Sequence, residues 1–159
     1  MERSSKGNVV TELILETFRL NGQLLEAGDR LTAPLGLTSA RWQILGAIET
    51  EGRPLTVAQI GRRMGLSRQA VQRVVNDLDR LGFVSLEENP DHKRARLVVL
   101  TPSCVETLSR LDEIQVRWVN ELSDGTSETV LKRTVKLMIE IRERCAAIEQ
   151  KTQQTSIGE

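Results

Sequence analysis

Six polar residues between positions 67 and 76 have side chains that can read the edges of DNA bases. An arginine can donate two hydrogen bonds to guanine, and a glutamine or an asparagine can form a pair of hydrogen bonds with adenine. The six residues are Ser67, Arg68, Gln69, Gln72, Arg73 and Asn76. Because a helix turns by about 100° per residue, one face would hold Gln69, Arg73, Asn76 and the later Arg80, flanked by Arg68 and Gln72. The sequence therefore predicts that these side chains form one DNA-contacting surface.

Apolar residues occupy the opposite side of the same segment. Their spacing of i, i+3, i+7 and i+10 is typical of the buried face of a helix, and the residues are Val71, Val74, Leu78 and Leu81. Ser67 is a suitable N-cap, and Gly82 suits the C-terminal end. The helix start also offers unpaired N–H groups to a phosphate. The alternative is an ordinary amphipathic helix whose polar face is only solvated.

A second basic segment follows at positions 90–96, with the sequence PDHKRAR. It lies between two strand patterns, 83–86 and 96–100, and contains a proline, so it is predicted to be the loop of a β-hairpin. Its basic residues are Lys93, Arg94 and Arg96. A loop-borne arginine can enter the narrow minor groove, where the negative potential of DNA is concentrated. A solvated charged hairpin is the alternative.

The elements that must position these residues follow from periodicity and turn signals. Helical patterns cover 9–26, 39–49, 57–64, 67–82, 102–122 and 126–149. Two helices joined by a short turn and followed by strand, loop and strand are typical of a winged helix-turn-helix. The predicted fold class is mainly α with a small β wing, in which N- and C-terminal helices form a dimerisation region.

The distribution of charge, rather than its sum, favours a nucleic-acid partner. The chain of 159 residues has 22 basic and 22 acidic residues. Segment 52–100 nevertheless carries nine Lys and Arg residues against five Asp and Glu residues, and 52–76 has no carboxylate. Aromatic residues make up only 3% of the chain, which argues against a stacking platform for single strands. Double-stranded DNA is the expected partner.

Three stretches together resemble the MarR family of bacterial transcriptional regulators. They are LTVAQIGRRMGLSRQAV at 55–71, LDRLGFV at 78–84 and NPDHKRARLVVLT at 89–101. The resemblance implies a homodimer on a pseudo-palindromic operator, usually a repressor, and it matches Arg94 to the family's wing arginine. The family often has an aspartate two residues before that arginine, as a brace. This chain has His92 there, and the adjacent Asp91 is a candidate substitute.

The resemblance also implies that the first, fifth and sixth helices form the dimer interface. The late helices independently carry more apolar residues than a winged-helix core needs, namely Leu108, Leu111, Ile114, Val130, Leu131, Leu137, Met138 and Ile141. The predicted organisation is a dimerisation helix in 1–34, a DNA-binding domain in 35–101, dimerisation helices in 102–149 and a frayed tail in 150–159. A monomer with an internal helical subdomain is the alternative.

Three residues on the first two predicted helices could border a small-molecule site: Arg19, Arg41 and Trp42. The resemblance implies that effectors lodge between the dimer helices and the DNA-binding lobe. A small aromatic or phenolic compound is the expected effector, and it would release the protein from DNA. Trp42 also fits a core position, which is the alternative for that residue.

No set of residues favours an enzyme, a metal site or a bound cofactor. His92 is the single histidine, Cys104 and Cys145 are far apart, and no glycine-rich phosphate-binding loop occurs. The polar first ten residues and the absence of a run of about 18 apolar residues predict a cytoplasmic protein with free thiols and no membrane association. Two further alternatives are a winged-helix protein-interaction module and a thiol-based redox-sensing regulator, with Cys104 near a helix start.

Overall fold

The computed structural model describes residues 2–92 and 94–157, with the backbone alone for residues 153 and 155–157. Its elements in chain order are α1 (Ser5–Thr32), α2 (Ser39–Glu51), β1 (Leu55–Thr56), α3 (Val57–Met64), α4 (Arg68–Arg80), β2 (Val84–Glu87), β3 (Leu97–Leu100), α5 (Pro102–Ser123) and α6 (Glu128–Ile157). The predicted fold class, mainly α with a small β wing, is confirmed. The chain divides into two compact units, one ending at Val116 and one beginning at Arg117.

An aliphatic core fills the first unit. It is contributed by α2, α3, α4, all three strands and the first turns of α5. Its fully buried side chains include Ile44, Leu45, Leu55, Ile60, Val71, Val75, Leu78, Val84, Val98, Cys104 and Leu111. The hydrophobic effect at these positions fixes α3 and α4 against the sheet, and so fixes the direction in which their polar faces point.

Side-chain caps and one glycine determine the turn between α3 and α4. Thr56 and Gln59 cap α3 reciprocally: the Thr56 hydroxyl accepts from the Gln59 N–H, and the Gln59 side chain accepts from the Thr56 N–H. Gly65 ends α3 with φ of 65°, a left-handed conformation that costs other residues energy. The Ser67 hydroxyl then accepts from the Ala70 N–H at 3.2 Å and starts α4. The predicted cap at Ser67 is confirmed.

The three strands form an antiparallel sheet in the order β1-β3-β2. Val84 pairs with Leu100 and Glu87 with Leu97, so β2 and β3 form the hairpin that carries the wing loop. Leu55 of β1 pairs with Val98 on the other side of β3. The sheet thus ties the wing to the start of α3.

The junction between α1 and α2 depends on a residue without a side chain. A Cβ atom added at Gly28 would lie 2.7 Å from the Ser39 hydroxyl oxygen. The Ser39 N–H donates to an Asp29 carboxylate oxygen at 2.6 Å, so the end of α1 satisfies a donor in the first turn of α2. These contacts join the C-terminal end of α1 to α2 within the first unit.

The structure differs from the sequence-based expectations at several boundaries. Helix α1 extends beyond the predicted 9–26, and α6 continues to Ile157 instead of ending near residue 149. Strand β1 and a 3₁₀ turn at Ala33–Leu35 were not anticipated. These elements are two and three residues long, too short to create a periodic pattern.

Two assignments of buried residues were wrong. Leu81 was expected on the buried face of α4, but it is half exposed because the helix ends at Arg80; Val75 is buried instead. Leu108 and Leu111 were counted as spare apolar surface, but they are buried in the core of the first unit. The start of α5 is therefore part of the winged-helix core.

No helix in the described ranges 2–92 and 94–157 combines the length and apolar character of a membrane-spanning segment.

Candidate nucleic-acid interface

The six residues predicted to read DNA all lie on the exposed side of α4 or at its cap. Ser67, Arg68, Gln69, Gln72, Arg73 and Asn76 are exposed. On the opposite side, Val71, Val75 and Leu78 are completely buried. Because the buried face is anchored by three apolar side chains, the polar face is held outward without support from its own side chains. This arrangement suits insertion of the helix into a groove.

Two of the polar side chains on α4 are joined to each other. The Gln72 side-chain amide donates to the Asn76 side-chain oxygen at 2.8 Å. The side-chain oxygen of Gln72 and the side-chain NH2 group of Asn76 still have hydrogen-bonding capacity. The pair can therefore approach adenine or another base edge as one oriented unit.

Arg80, on the last turn of α4, does not extend this surface. Its guanidinium forms an ion pair with Asp77 at 3.0 Å, and the side chains are 76% exposed for Arg80 and 43% for Asp77. An exposed pair of this kind contributes little to stability. Arg80 is therefore a suitable control when the DNA affinity of variants at arginines without an acidic partner is measured.

The described residues of the wing loop form hydrogen bonds that each involve a backbone group. The Asn89 side-chain oxygen accepts from the Asp91 N–H at 3.0 Å, and the Ala95 N–H donates to the His92 carbonyl at 3.0 Å. Arg96 donates from its guanidinium to the Leu86 carbonyl, which fixes it to β2 across the hairpin. Lys93, also predicted to bind DNA, lies outside the described residues.

Arg94 is exposed and lies in the loop between β2 and β3. Within residues 2–92 and 94–157 it forms no ion pair, and Asp91 does not contact it as a brace. Its guanidinium therefore keeps all its donors available for an external acceptor.

A cleft of about 200 Å³ lies between α4 and the wing and brings the two predicted segments together. Arg68 and Gln72 line it from α4, and Arg94 and Arg96 line it from the wing. Among the described residues, no acidic side chain lines the cleft. Three guanidinium groups around one space repel each other, and an anion between them would relieve that repulsion. The geometry suits a DNA backbone that passes between helix and wing.

The lining of this cleft also includes residues that sequence reasoning did not identify as part of the site. Thr56, Val57 and Ala58, at the start of α3, line it together with Leu86. Their position depends on the pairing of β1 with β3, which had no recognisable sequence signal. The small side chains of Thr56 and Ala58 leave room for the approach of a phosphate.

The sequence pattern of the MarR family matches residues 35–95, which include α2, α3, α4 and most of the wing. The uncharacterized protein Rv2011c of Mycobacterium tuberculosis is 38% identical over 125 residues, covering 79% of this chain and 86% of that protein. The chain belongs to the MarR family. It is therefore a winged-helix DNA-binding transcriptional regulator and not an enzyme.

Solved structures of transcriptional regulators share the fold at low sequence identity. A mutant MarR from E. coli complexed with operator DNA is 22% identical with a TM-score of 0.66, covering 80% of this chain and 94% of that one. The organohalide-sensing regulator RdhR, solved in its 2,4-dichlorophenol-bound form, is 17% identical with a TM-score of 0.74, covering 86% of this chain and 80% of that one. These likenesses show the fold.

None of the described grooves is lined by all three of the residues predicted to border an effector site in this MarR protein. Arg19 lines an open groove along α1 and forms an ion pair with Glu16 at 3.0 Å. It lies nine residues before Gly28, where α1 meets α2, which is about 14 Å along the helix. Arg41 and Trp42 lie in the first turn of α2, and Trp42 packs against the core.

The cysteines have contrasting surroundings. Cys104 is completely buried in the core, and Cys145 is exposed on α6. Burial, with a smaller contribution from the charge of Glu49, raises the pKa of the Cys104 thiol to about 11. Because the thiolate is the reactive form, these surroundings disfavour Cys104 as a redox sensor.

Proposed function

We propose that this MarR protein binds a pseudo-palindromic operator as a homodimer and represses transcription from it in the cytoplasm. The observation that carries the proposal is the acid-free cleft in which Arg68 and Gln72 of α4 face Arg94 and Arg96 of the wing. Phosphate contacts by the arginines supply affinity, and the exposed face of α4 supplies sequence preference. A protein-interaction module has no evident need for unpaired guanidinium groups around one cleft.

Dimerisation is supported by apolar surface that a single chain leaves exposed. On α1, Phe18 is 69% exposed, and Val9 and Leu15 are also exposed. In the second unit, Val130, Val135 and Leu137 are examples of exposed apolar residues on α6. Exposed apolar area on this scale indicates an interaction surface. A second copy is the expected occupant because a two-fold dimer would present two recognition helices about 34 Å apart, the repeat of the DNA groove.

Selection from a randomised duplex pool tests DNA recognition. The purified protein should enrich two inverted half-sites with centres one helical turn, about 10 base pairs, apart. A single half-site would contradict the dimeric mode of binding, and no enrichment would contradict the proposed function. Light scattering should give twice the 17.8 kDa chain mass, and Phe18→Glu should reduce both the mass and the operator affinity.

We further propose that a small aromatic or phenolic effector, bordered by Arg19, Arg41 and Trp42, releases the protein from DNA. The 2,4-dichlorophenol bound to RdhR supports this chemical class. Since Arg19 is remote from α2 along its own helix, the effector would have to favour a dimer geometry that brings further residues to the site. In a Trp118→Phe variant, a phenolic ligand should quench the remaining Trp42 fluorescence and weaken operator binding. Quenching without release would contradict the effector role.

A further inference from the structure

A second group of arginines lies beyond the cleft, on α3 and on the turn between α2 and β1. Arg62 lines one groove with Arg68, at the junction of α3 and α4. It also lines a neighbouring groove with Arg53 and Arg63. Since Arg68 itself lines the cleft beside the wing, the arginines form a continuous series from the wing, through the start of α4, to the far end of α3.

Glu51 holds two members of this group. Its carboxylate forms ion pairs with Arg53, at 2.7 Å, and with Arg63 through its other oxygen. The Glu51 side chain is only 18% exposed, much less than those of its two partners. Glu51 is also the last residue of α2, where the helix dipole disfavours a negative charge. The two guanidinium groups offset that cost and are fixed in position in return.

The group still has an excess of positive charge. One carboxylate serves two arginines, and Arg62 is exposed with no ion pair among the described residues. Gln59, which is neutral, is the other residue lining the groove with Arg53, Arg62 and Arg63. A surface of this composition suits an anionic partner that is long enough to reach from the cleft.

We propose that Arg62 and the Glu51-anchored pair of Arg53 and Arg63 form a second phosphate-binding surface that extends the DNA contact beyond α4 and the wing. The inference rests on the proposed function, because the partner is the same duplex. In a helix-turn-helix, the helix before the recognition helix crosses the DNA backbone, and α3 has that place here. The contact is to phosphates, so it adds affinity without sequence preference.

The test measures duplex affinity as a function of salt for wild type, for Arg62→Ala and for Arg62→Ala/Arg63→Ala. Each lost phosphate contact should reduce the slope of log affinity against log salt by about 0.9. In a dimer the double variant removes up to four phosphate contacts, so the slope should decrease by up to about 3.6. The affinities for the selected operator and for unrelated DNA should fall by the same factor.

Arg30→Ala is the matched control, since Arg30 is an exposed arginine of the first unit paired with Glu26. It removes the same charge and should leave the slope unchanged. Arg62→Ala breaks no described ion pair, so it keeps the test valid even if loss of Arg63 disturbs Glu51.

The outcomes separate the two proposals. Absence of DNA binding by wild type would contradict the proposed function itself. If wild type binds, the inference is overturned by an unchanged slope in both variants. A loss confined to the operator would also overturn it, because base reading would then replace phosphate contact.

Discussion

The side-chain amide of Gln72 donates a hydrogen bond to the side-chain oxygen of Asn76, 2.8 Å away on the next turn of α4. Both residues are exposed, and neither makes another described side-chain hydrogen bond. In the free protein, two of the residues suited to pair with adenine are therefore already oriented by each other. Pre-orientation lowers the entropic cost of a specific contact.

We expect this pairing to appear as coupling between substitutions. Gln72→Ala and Asn76→Ala should each weaken operator binding by about 1–3 kcal/mol, the value of one good base contact. The double variant should lose clearly less than the sum of the two, because each single change already disrupts the shared unit. Titration of the selected operator with the four proteins measures the coupling; strictly additive losses would contradict it.

Arg94→Ala should reduce operator affinity by about tenfold or more, because its guanidinium has no competing partner within the described residues and can enter the minor groove. Arg80→Ala is the matched control, since Arg80 is an exposed arginine already paired with Asp77. Fluorescence anisotropy with labelled operator measures both affinities, and circular dichroism and light scattering check fold and dimer. Equal effects of the two changes would remove the wing from the interface.

Gly61→Ala should destabilise the protein by about 1–2 kcal/mol, although alanine is the better helix former. A Cβ atom at Gly61 would lie 2.8 Å from the Leu66 carbonyl oxygen, a backbone atom in the turn before α4. Gly46→Ala in α2 is the control: nothing lies within 4 Å, so it should stabilise by about 0.5–1 kcal/mol. Urea unfolding measures both. If Gly61→Ala left the free energy of unfolding unchanged, the turn before α4 would have to shift to accommodate the Cβ atom.

The raised pKa of Cys104 makes two predictions. In a Cys145→Ser background, a disulfide reagent at pH 8 should modify Cys104 only at the rate of unfolding, because the thiol is buried and protonated. The free energy of unfolding should fall as pH rises from 9 towards 11, since the thiol ionises first in the unfolded chain. Cys104→Val should lack that part of the pH dependence. Rapid native-state modification would support the redox-sensing alternative instead.

The exposed face of α4 was predictable from the sequence, but the residues that line the cleft beside it were not. The outer face of α4 was predictable because Val71 and Leu78 mark the buried side at helical spacing, and Ser67 marks the start. That Arg68 and Arg94 line one cleft could not be predicted, because it depends on how β1, β2 and β3 pair. Strands this short leave no periodic pattern in the sequence from which their pairing register could be predicted.

The electrostatic prediction was incomplete for a similar reason. The segment 52–76 has no carboxylate in sequence, but Glu51, one residue before it, contacts Arg53 and Arg63 in the structure. In sequence these arginines cannot be distinguished from Arg68, although in the structure the Glu51 carboxylate partly neutralises them. Arg62, which has no such contact in the described chain, is the arginine of this group with its full charge available.

In the proposed complex a DNA backbone passes between α4, in the major groove, and the wing, in the minor groove. Footprinting of the purified protein on duplex DNA flanking its own gene, beside an Arg68→Ala/Arg94→Ala variant of equal stability, tests this claim most directly. We expect wild type to protect one region with two-fold symmetry and the variant to protect none at the same concentration. Protection retained by the variant, or absent with well-folded wild type across all flanking DNA, would contradict the claim.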